Sequence, residues 1–266
     1  ISSSHPDIFN HLDWGEQLVS LGPKKFYENI FWKVSWPNQP YASMYLFALI
    51  KIVKDQIFNF FLYLNNAIPL FPSQLIFILE KNLHLWLVKM PFVLADLAIS
   101  LLIYQICLSL KVSRKKAIIS ASLFLFNPSV VYNSTIWGQT DSLINLLSLT
   151  GLFLLYRKRF FSGTFVFFLS YLFKLFLIIY LPLYAIIAWH NRRYWSKIIL
   201  SLLFTLSLFI LFAWPFSIFP DPLRWLIYLY ENRVLPRQGN RLNGNAFNLW
   251  LVFFGLDLSL SDSTPI

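Results

Sequence analysis

The sequence predicts an all-α protein: a polytopic bundle of transmembrane helices with long extracytoplasmic loops that carry short interfacial helices. Three observations predict it. Hydrophobic residues fill 57% of the 266 positions and charged residues 13%, giving a mean hydropathy of +0.58, too apolar for a soluble domain. Apolar runs recur along the whole length. The lysines and arginines behind the net charge of +10 gather in short loops between those runs, the pattern of a cytoplasmic membrane face and not of a nucleic-acid surface. The single cysteine, Cys107, lies in an apolar run and has no partner for a disulfide within these residues.

Taken in order, residues 1–40 read as a polar, aromatic-rich first outer loop, with an amphipathic helix over 13–21 that turns Trp14, Leu18 and Leu21 to one side. Apolar stretches follow at 41–54 and 57–79, the second interrupted by Pro69 and Pro72. A clearer span covers 84–108 and is kinked by Pro91. Residues 117–131 and 142–156 flank a polar island. The stretch 160–189 is broken by Lys174 and Pro182 and fits two short or re-entrant helices, and 196–214 is another span. This gives about seven transmembrane or re-entrant helices over 41–214, a second long outer loop over 215–246 and the start of a further helix over 247–266. All 266 residues are expected to form a single membrane domain cut short at both ends, with a membrane helix preceding residue 1.

The positive-inside rule puts the basic loops 111–116, 157–159 and 190–193 in the cytoplasm. Counting crossings from them places the island at the outer face, and with it residues 1–40, residues 215–246 and the neighbourhood of Lys174. In this count 41–54 and 57–79 form an in-and-out pair, with Lys51 and Lys54 inside.

The island, 127–143, holds the one charged residue between 117 and 156, Asp141. A carboxylate at membrane depth is costly and marks a candidate functional site. Two roles are open to it: capping the helix that begins near Ser142, or positioning substrate. Trp137 is either an interfacial anchor or a substrate contact, and Lys174 either snorkels to the interface or binds a phosphate. Asp96, inside the 84–108 span, reads as a polar contact between helices.

The first loop carries Asp7, Asp13, Glu16 and Glu28; the second carries Arg224, Arg233, Arg237 and Arg241 amid asparagines that include Asn245. An acid on one loop facing guanidinium groups on another suits group transfer from a phosphate-bearing donor, with the acid as base and the cations stabilising the leaving phosphate. No Gly-rich phosphate loop, HExxH, CxxC or nucleophile elbow is present, which favours a lipid-phosphate donor over a nucleotide. The rival reading is a transporter or lipid-linked-sugar flippase with Asp141 and Lys174 lining the path. It calls for internal repeats and midplane polar groups, and neither stands out.

Ordered motifs run through nearly the whole chain: Asp7-Ile-Phe-Asn-His-Leu-Asp-Trp14 with Gly22-Pro-Lys-Lys-Phe-Tyr27, Trp36-Pro-Asn-Gln-Pro40-Tyr41, Lys89-Met-Pro91 with Leu94-Ala-Asp96, Asn127-Pro128, Trp137-Gly-Gln-Thr-Asp141, Lys174 with Pro182, and Asn245-Ala-Phe-Asn-Leu-Trp250. In these the chain resembles integral-membrane glycosyltransferases of the GT-C fold, above all mannosyltransferases related to GPI mannosyltransferase II and, more distantly, the dolichyl-phosphate-glucose glucosyltransferases. The resemblance implies inverting transfer of a mannose-like or glucose-like hexose from a polyprenyl-phosphate carrier to a lipid-linked or surface glycan. The active site would face the extracytoplasmic or lumenal side, with membrane lipid as the other partner, no nucleic acid and no cofactor. It implies Asp7 as general base, seven residues before Trp14, with Asp13 as the competitor. The candidate substrate contacts are Asp13, Trp137, Gln139, Asp141, Lys174, Arg233, Arg237, Arg241 and Asn245. Where the family has Asp-Tyr-Pro-Pro this chain has Ser35-Trp36-Pro37-Asn38-Gln39-Pro40, so a role for an acid at that position does not carry over from the resemblance. His5 and His11 beside Asp7 and Asp13 raise a metal site as an alternative; the resemblance implies none.

Overall fold

The computed structural model describes His5 and residues 7–234. All regular structure among them is helical. The chain forms two units, residues 1–216 and 217–266.

The first helix, α1, spans Asp7–Leu21 and starts earlier than its apolar pattern predicts. His5 closes its open end: the backbone carbonyl accepts the Ile8 N–H at 3.1 Å and the ring Nδ1 accepts the Asp7 N–H at 3.3 Å. Trp14 and Leu18 of the predicted apolar face are buried. α1 packs on α3, Tyr41–Ala67, so closely that a Cβ at Gly15 would lie 2.5 Å from the Phe47 carbonyl oxygen. Between them, α2 (Pro23–Phe26) buries Phe26 against Phe216, with ring centroids 6.0 Å apart.

α3 corrects the predicted pair of segments at 41–54 and 57–79. It runs unbroken for 27 residues, because the charges that interrupt the hydropathy satisfy one another on the helix: Lys51 pairs with Asp55 one turn on, and Lys54 joins them. The real break lies at 68–73, where Pro69 and Pro72 sit. α4, Gln74–Ser109, then continues for 36 residues, about 54 Å at the helical rise. It passes through Glu80 and Lys81, which are exposed, while Leu79 and Leu83 on the other side are buried. The separate stretches 57–79 and 84–108 are therefore not the structural units. α3 folds back along α4 about the 68–73 turn, so the breaks predicted near 55 and 80 are replaced by this one turn.

After α5 (Arg114–Leu125) come α6 (Pro128–Val131), a wide turn over Tyr132–Trp137, and α7 (Asp141–Tyr156). α8 (Phe160–Leu169) tightens over Ser170–Leu172, breaks at Phe173 and Lys174, and resumes through Leu175–Tyr180 into α9 (Leu181–His190). α10 is Trp195–Ala213. α7 and α8 meet at glycines: a Cβ on Gly151 would sit 2.6 Å from the Phe167 nitrogen and one on Gly163 2.8 Å from the Leu155 nitrogen. Such small-residue crossings let helices pack without a hydrophobic drive. Hydroxyls complete the joints, with Ser148 Oγ donating to Ser170 Oγ at 2.9 Å and Ser201 Oγ to the Phe161 carbonyl at 2.9 Å. Leu155, Phe160, Phe167, Tyr171, Tyr184 and Ile198 form the core where α7 to α10 meet.

Among the described residues two helical stretches, Gln74–Ser109 and Arg192–Phe216, are long and apolar enough to cross a membrane; Asp141–Tyr156, Phe160–Leu172 and Ile178–His190 are apolar but shorter. In the second unit, α11 (Pro222–Leu229) falls within the stretch read as loop, its start capped by Asp221, whose Oδ1 accepts the Leu223 N–H at 2.9 Å.

Candidate active site

The island folds for local reasons. Asn127 caps α6, its Oδ1 accepting the Ser129 N–H at 2.9 Å, and Pro128 occupies the first turn, where its missing N–H costs nothing. The following turn ends at Gly138, whose φ of 70° is left-handed and open to glycine without strain. Gln139 is then held by its N–H on the Asn133 carbonyl at 3.1 Å, and Asp141 opens α7.

Gly138 also makes room for α1. A Cβ there would lie 2.8 Å from Ile8 Cδ1 and 3.7 Å from Lys89 Cγ. With Ile8 seated on it, the neighbouring Asp7 carboxylate meets the island: its Oδ2 accepts the Trp137 indole N–H at 2.8 Å and the Gln139 side-chain amide at 3.2 Å. The His5 ring lies 4.6 Å from that of Trp137, with Nδ1 3.5 Å from the same oxygen, and the His5 N–H donates to the Ile136 carbonyl at 3.3 Å. The Asp7 side chain keeps 43% of its surface exposed. One carboxylate oxygen is therefore fixed by two donors while the group stays open to solvent and ligand.

Three residues from Gly138, Asp141 does not cap α7. Its Oδ1 accepts from Lys174 Nζ at 2.6 Å. Lys174 reaches it because α8 has ended and the backbone at Lys174 is extended. The roles expected of Asp141 and Lys174 did not include pairing with each other, and the structure shows an ion pair between the two half-buried side chains.

His11, one turn after Asp7, is 2% exposed and stacks on Phe47 at 4.4 Å. Burial pushes its pKa down to about 4; the Asp7 carboxylate opposes that shift and the Lys174 ammonium adds to it. His11 is therefore a neutral ring set among the site's charges. Among the described residues no three His, Cys, Asp or Glu side chains form a metal site.

Asp13 sits elsewhere. It is 3% exposed, with Oδ2 accepting the Lys33 N–H at 2.9 Å and Oδ1 accepting from Gln17 at 3.3 Å, and it ties the first loop to α1. Beside it Lys33 and Glu16 pair at 2.6 Å, which lowers the pKa of Glu16 and raises that of Lys33. Arg233 belongs to the second unit, and Arg237, Arg241 and Asn245 lie outside the described residues. Lys89, quoted above only as part of a motif, is buried beneath Gly138; its lone charge between Lys81 and Asp96 was the signal for it. Asp96 corrects its expected role. Its Oδ2 has no hydrogen-bond partner among the described residues, and the polar contact between α4 and α5 comes from Ser100, which donates to the Ala121 carbonyl at 3.0 Å.

Among curated proteins the chain is similar to GPI mannosyltransferase 1 of Saccharomyces cerevisiae, 36% identical over 105 residues, which cover 40% of this chain and 26% of that protein. It is also similar to GPI mannosyltransferase 1 of Kluyveromyces lactis, 29% identical over 197 residues, covering 71% of this chain and 48% of the relative. The chain spans at most about half the length of these relatives. No family model matches it, and no solved structure does. The two likenesses relate the chain to the mannosyltransferases among membrane glycosyltransferases.

Proposed function

We propose that the chain belongs to an inverting mannosyltransferase, a polytopic helix bundle of the GT-C type. It would move mannose from a polyprenyl-phosphate carrier to a glycolipid of the GPI type at the extracytoplasmic or lumenal face. The observation that carries this reading is the Asp7 carboxylate, exposed and fixed through one oxygen by Trp137 and Gln139, the latter two residues along the chain from Asp141 with its Lys174 partner. The hydrogen bond between the first loop and the island supports a reading in which both lie on one side of the membrane.

In the proposed mechanism Asp7 accepts the proton of an acceptor hydroxyl as that oxygen attacks the anomeric carbon from the face opposite the phosphate. The bond from the anomeric carbon to the phosphate oxygen breaks, its electron pair stays on the phosphate, and Lys174 stabilises the added charge. Asp141 holds Lys174 in place before the donor arrives. The test is transfer from radiolabelled polyprenyl-phosphate mannose by the purified full-length protein. Asp7→Asn is expected to lower the rate by roughly 10²–10⁴-fold with the melting temperature unchanged, and wild-type rates in that variant would remove Asp7 from the role.

A further inference from the structure

The helices α4 and α7 lie side by side and run in the same direction, with one cavity near the start of α7 and another where both helices end. Asp96 and Asp141 line the first. The second, of about 600 Å³, is walled by Leu102 and Gln105 of α4 and by Phe153, Leu154, Arg157 and Arg159 at the end of α7. That volume falls in the range of small-molecule sites, and the mechanism above uses none of these residues. Lys89, packed beneath Gly138, and Ser109 at the end of α4 are twenty residues apart, about 30 Å along the helix. That is the thickness of the hydrocarbon core of a bilayer, and α4 is one of the stretches long and apolar enough to cross it.

Both helices close in the same way. A lysine in the left-handed region turns the chain back, Lys111 after α4 with φ 60° and Lys158 after α7 with φ 61°. The next amides return to the last carbonyls, Val112 N–H donating to Cys107 and Arg159 N–H to Leu154, each at 2.9 Å. The turn at Lys158 leaves Arg157 and Arg159 on the same cavity. Backbone amides already satisfy these helix ends and the two lysines already stand over their dipoles, so neither guanidinium group is needed as a cap. Both arginines are exposed, and neither forms an ion pair or a side-chain hydrogen bond among the described residues. No carboxylate lines the cavity; between Asp96 and Asp221 the sequence holds one acid, Asp141, and Lys174 pairs with it.

Two unpaired guanidinium groups suit a phosphate, which they grip through paired N–H donors. Gln105, exposed on the same wall, adds an amide donor. The ammonium of a choline or ethanolamine headgroup finds only cations here, so the wall favours a headgroup of net negative charge over a zwitterionic one. Deeper in, Leu102, Phe153 and Leu154 are apolar. Leu102 lies seven residues before the end of α4, about 10 Å, far enough to meet the first methylenes of an acyl chain. We propose that the cavity at the ends of α4 and α7 holds an anionic glycerophospholipid, its phosphate on Arg157 and Arg159 and the start of its tails on the apolar wall. Basic pockets between membrane helices take such headgroups. The lipid belongs to the leaflet opposite the candidate active site, and its binding stands whether or not the chain transfers mannose.

The experiment follows the melting temperature of the full-length protein in detergent titrated with dioleoyl phosphatidylglycerol, dioleoyl phosphatidylcholine and glycerol 3-phosphate, which differ in net charge and in tails. Phosphatidylglycerol is expected to stabilise the protein saturably, and the other two not at all at the same concentrations. Arg157→Gln combined with Arg159→Gln should raise the apparent phosphatidylglycerol Kd by roughly tenfold to a hundredfold, the scale of a hydrogen bond to a charged group. Lys115→Gln combined with Lys116→Gln removes the same charge from α5, outside the cavity, and should leave that Kd unchanged. Gln105→Glu, which puts a carboxylate into the wall at an exposed helical position, should weaken the lipid as the arginine variant does and replaces it should that variant not fold. Equal affinity in wild type and cavity variants would overturn the proposal. So would an equal loss in the lysine variant, which would mean diffuse attraction to the basic loops. Stabilisation by phosphatidylcholine to the same extent would refute the selection by charge, and stabilisation by glycerol 3-phosphate would make this the site of a soluble phosphate instead. Dolichyl-phosphate mannose should bind wild type and the arginine variant alike; its parallel loss would make the cavity part of the donor's seat and overturn the separate lipid site.

Discussion

The Trp137 indole N–H donates to the Asp7 carboxylate across 2.8 Å, joining two residues 130 positions apart in the chain. The contact fixes which face of Asp7 is used up and which stays open. Trp137→Phe keeps the ring beside His5 and removes only the donor. It is expected to reduce transfer by roughly tenfold to a hundredfold, the range for one hydrogen bond to a charged group, with little change in melting temperature. A fall in stability with no fall in rate would show Trp137 to be a packing residue alone.

Asp141 and Lys174 are predicted to be energetically coupled. Removing either breaks this ion pair, so Asp141→Asn and Lys174→Met should each destabilise the protein while the double variant loses less than the sum. Contacting charged pairs show couplings of about 0.5–3 kcal/mol, and the lower half is expected here because both side chains keep contact with solvent. Thermal melts of the four proteins in one detergent measure the cycle, and strict additivity would refute the pairing.

His11 gives the site a signature in pH. Its pKa falls from 6.5 unfolded to about 4 folded, chiefly through burial, so the unfolded chain binds a proton that the folded one refuses. His11's contribution is fully present above pH 6.5 and is lost progressively as pH falls from 6.5 toward 4. The difference amounts to about 3 kcal/mol at most. Wild type is expected to lose stability over that window, and His11→Asn to lose less; identical slopes in denaturant titrations at pH 7, 6 and 5 would contradict the neutral buried ring.

The polar island and its partnership with the first loop were legible because charge is scarce in this chain: Asp141 and Lys174 stand out against apolar sequence, and the distribution of lysine and arginine in loops led to the expectation that they lie together. What hydropathy could not show was helix continuity. Lys51, Lys54 and Asp55 look like a boundary in one dimension, yet on a helix they lie within a turn of each other and cancel, so α3 runs through them. Glu80 and Lys81 mislead in the same way, since an exposed charge interrupts an average without interrupting hydrogen bonds. Asp13 resembled Asp7 in sequence, and only the fold shows that one of its oxygens is taken by the Lys33 backbone N–H and the other by the Gln17 side chain. Asp96 looked like an ordinary interhelical contact because a sequence does not reveal a cavity.

The glycine crossing of α7 and α8 has a mechanical consequence for Lys174 and Asp141, which sit at the same end of that antiparallel pair. Where Gly151 meets the Phe167 backbone there is no side chain left to compress, so the crossing is a hard stop: thermal motion can spread the two helices but cannot press them closer. The elasticity of the Lys174–Asp141 gap is therefore one-sided. In the proposed reaction, a phosphate that draws the ammonium away from the carboxylate would move it in the soft direction, and on its departure the pair would close again only as far as the stop allows.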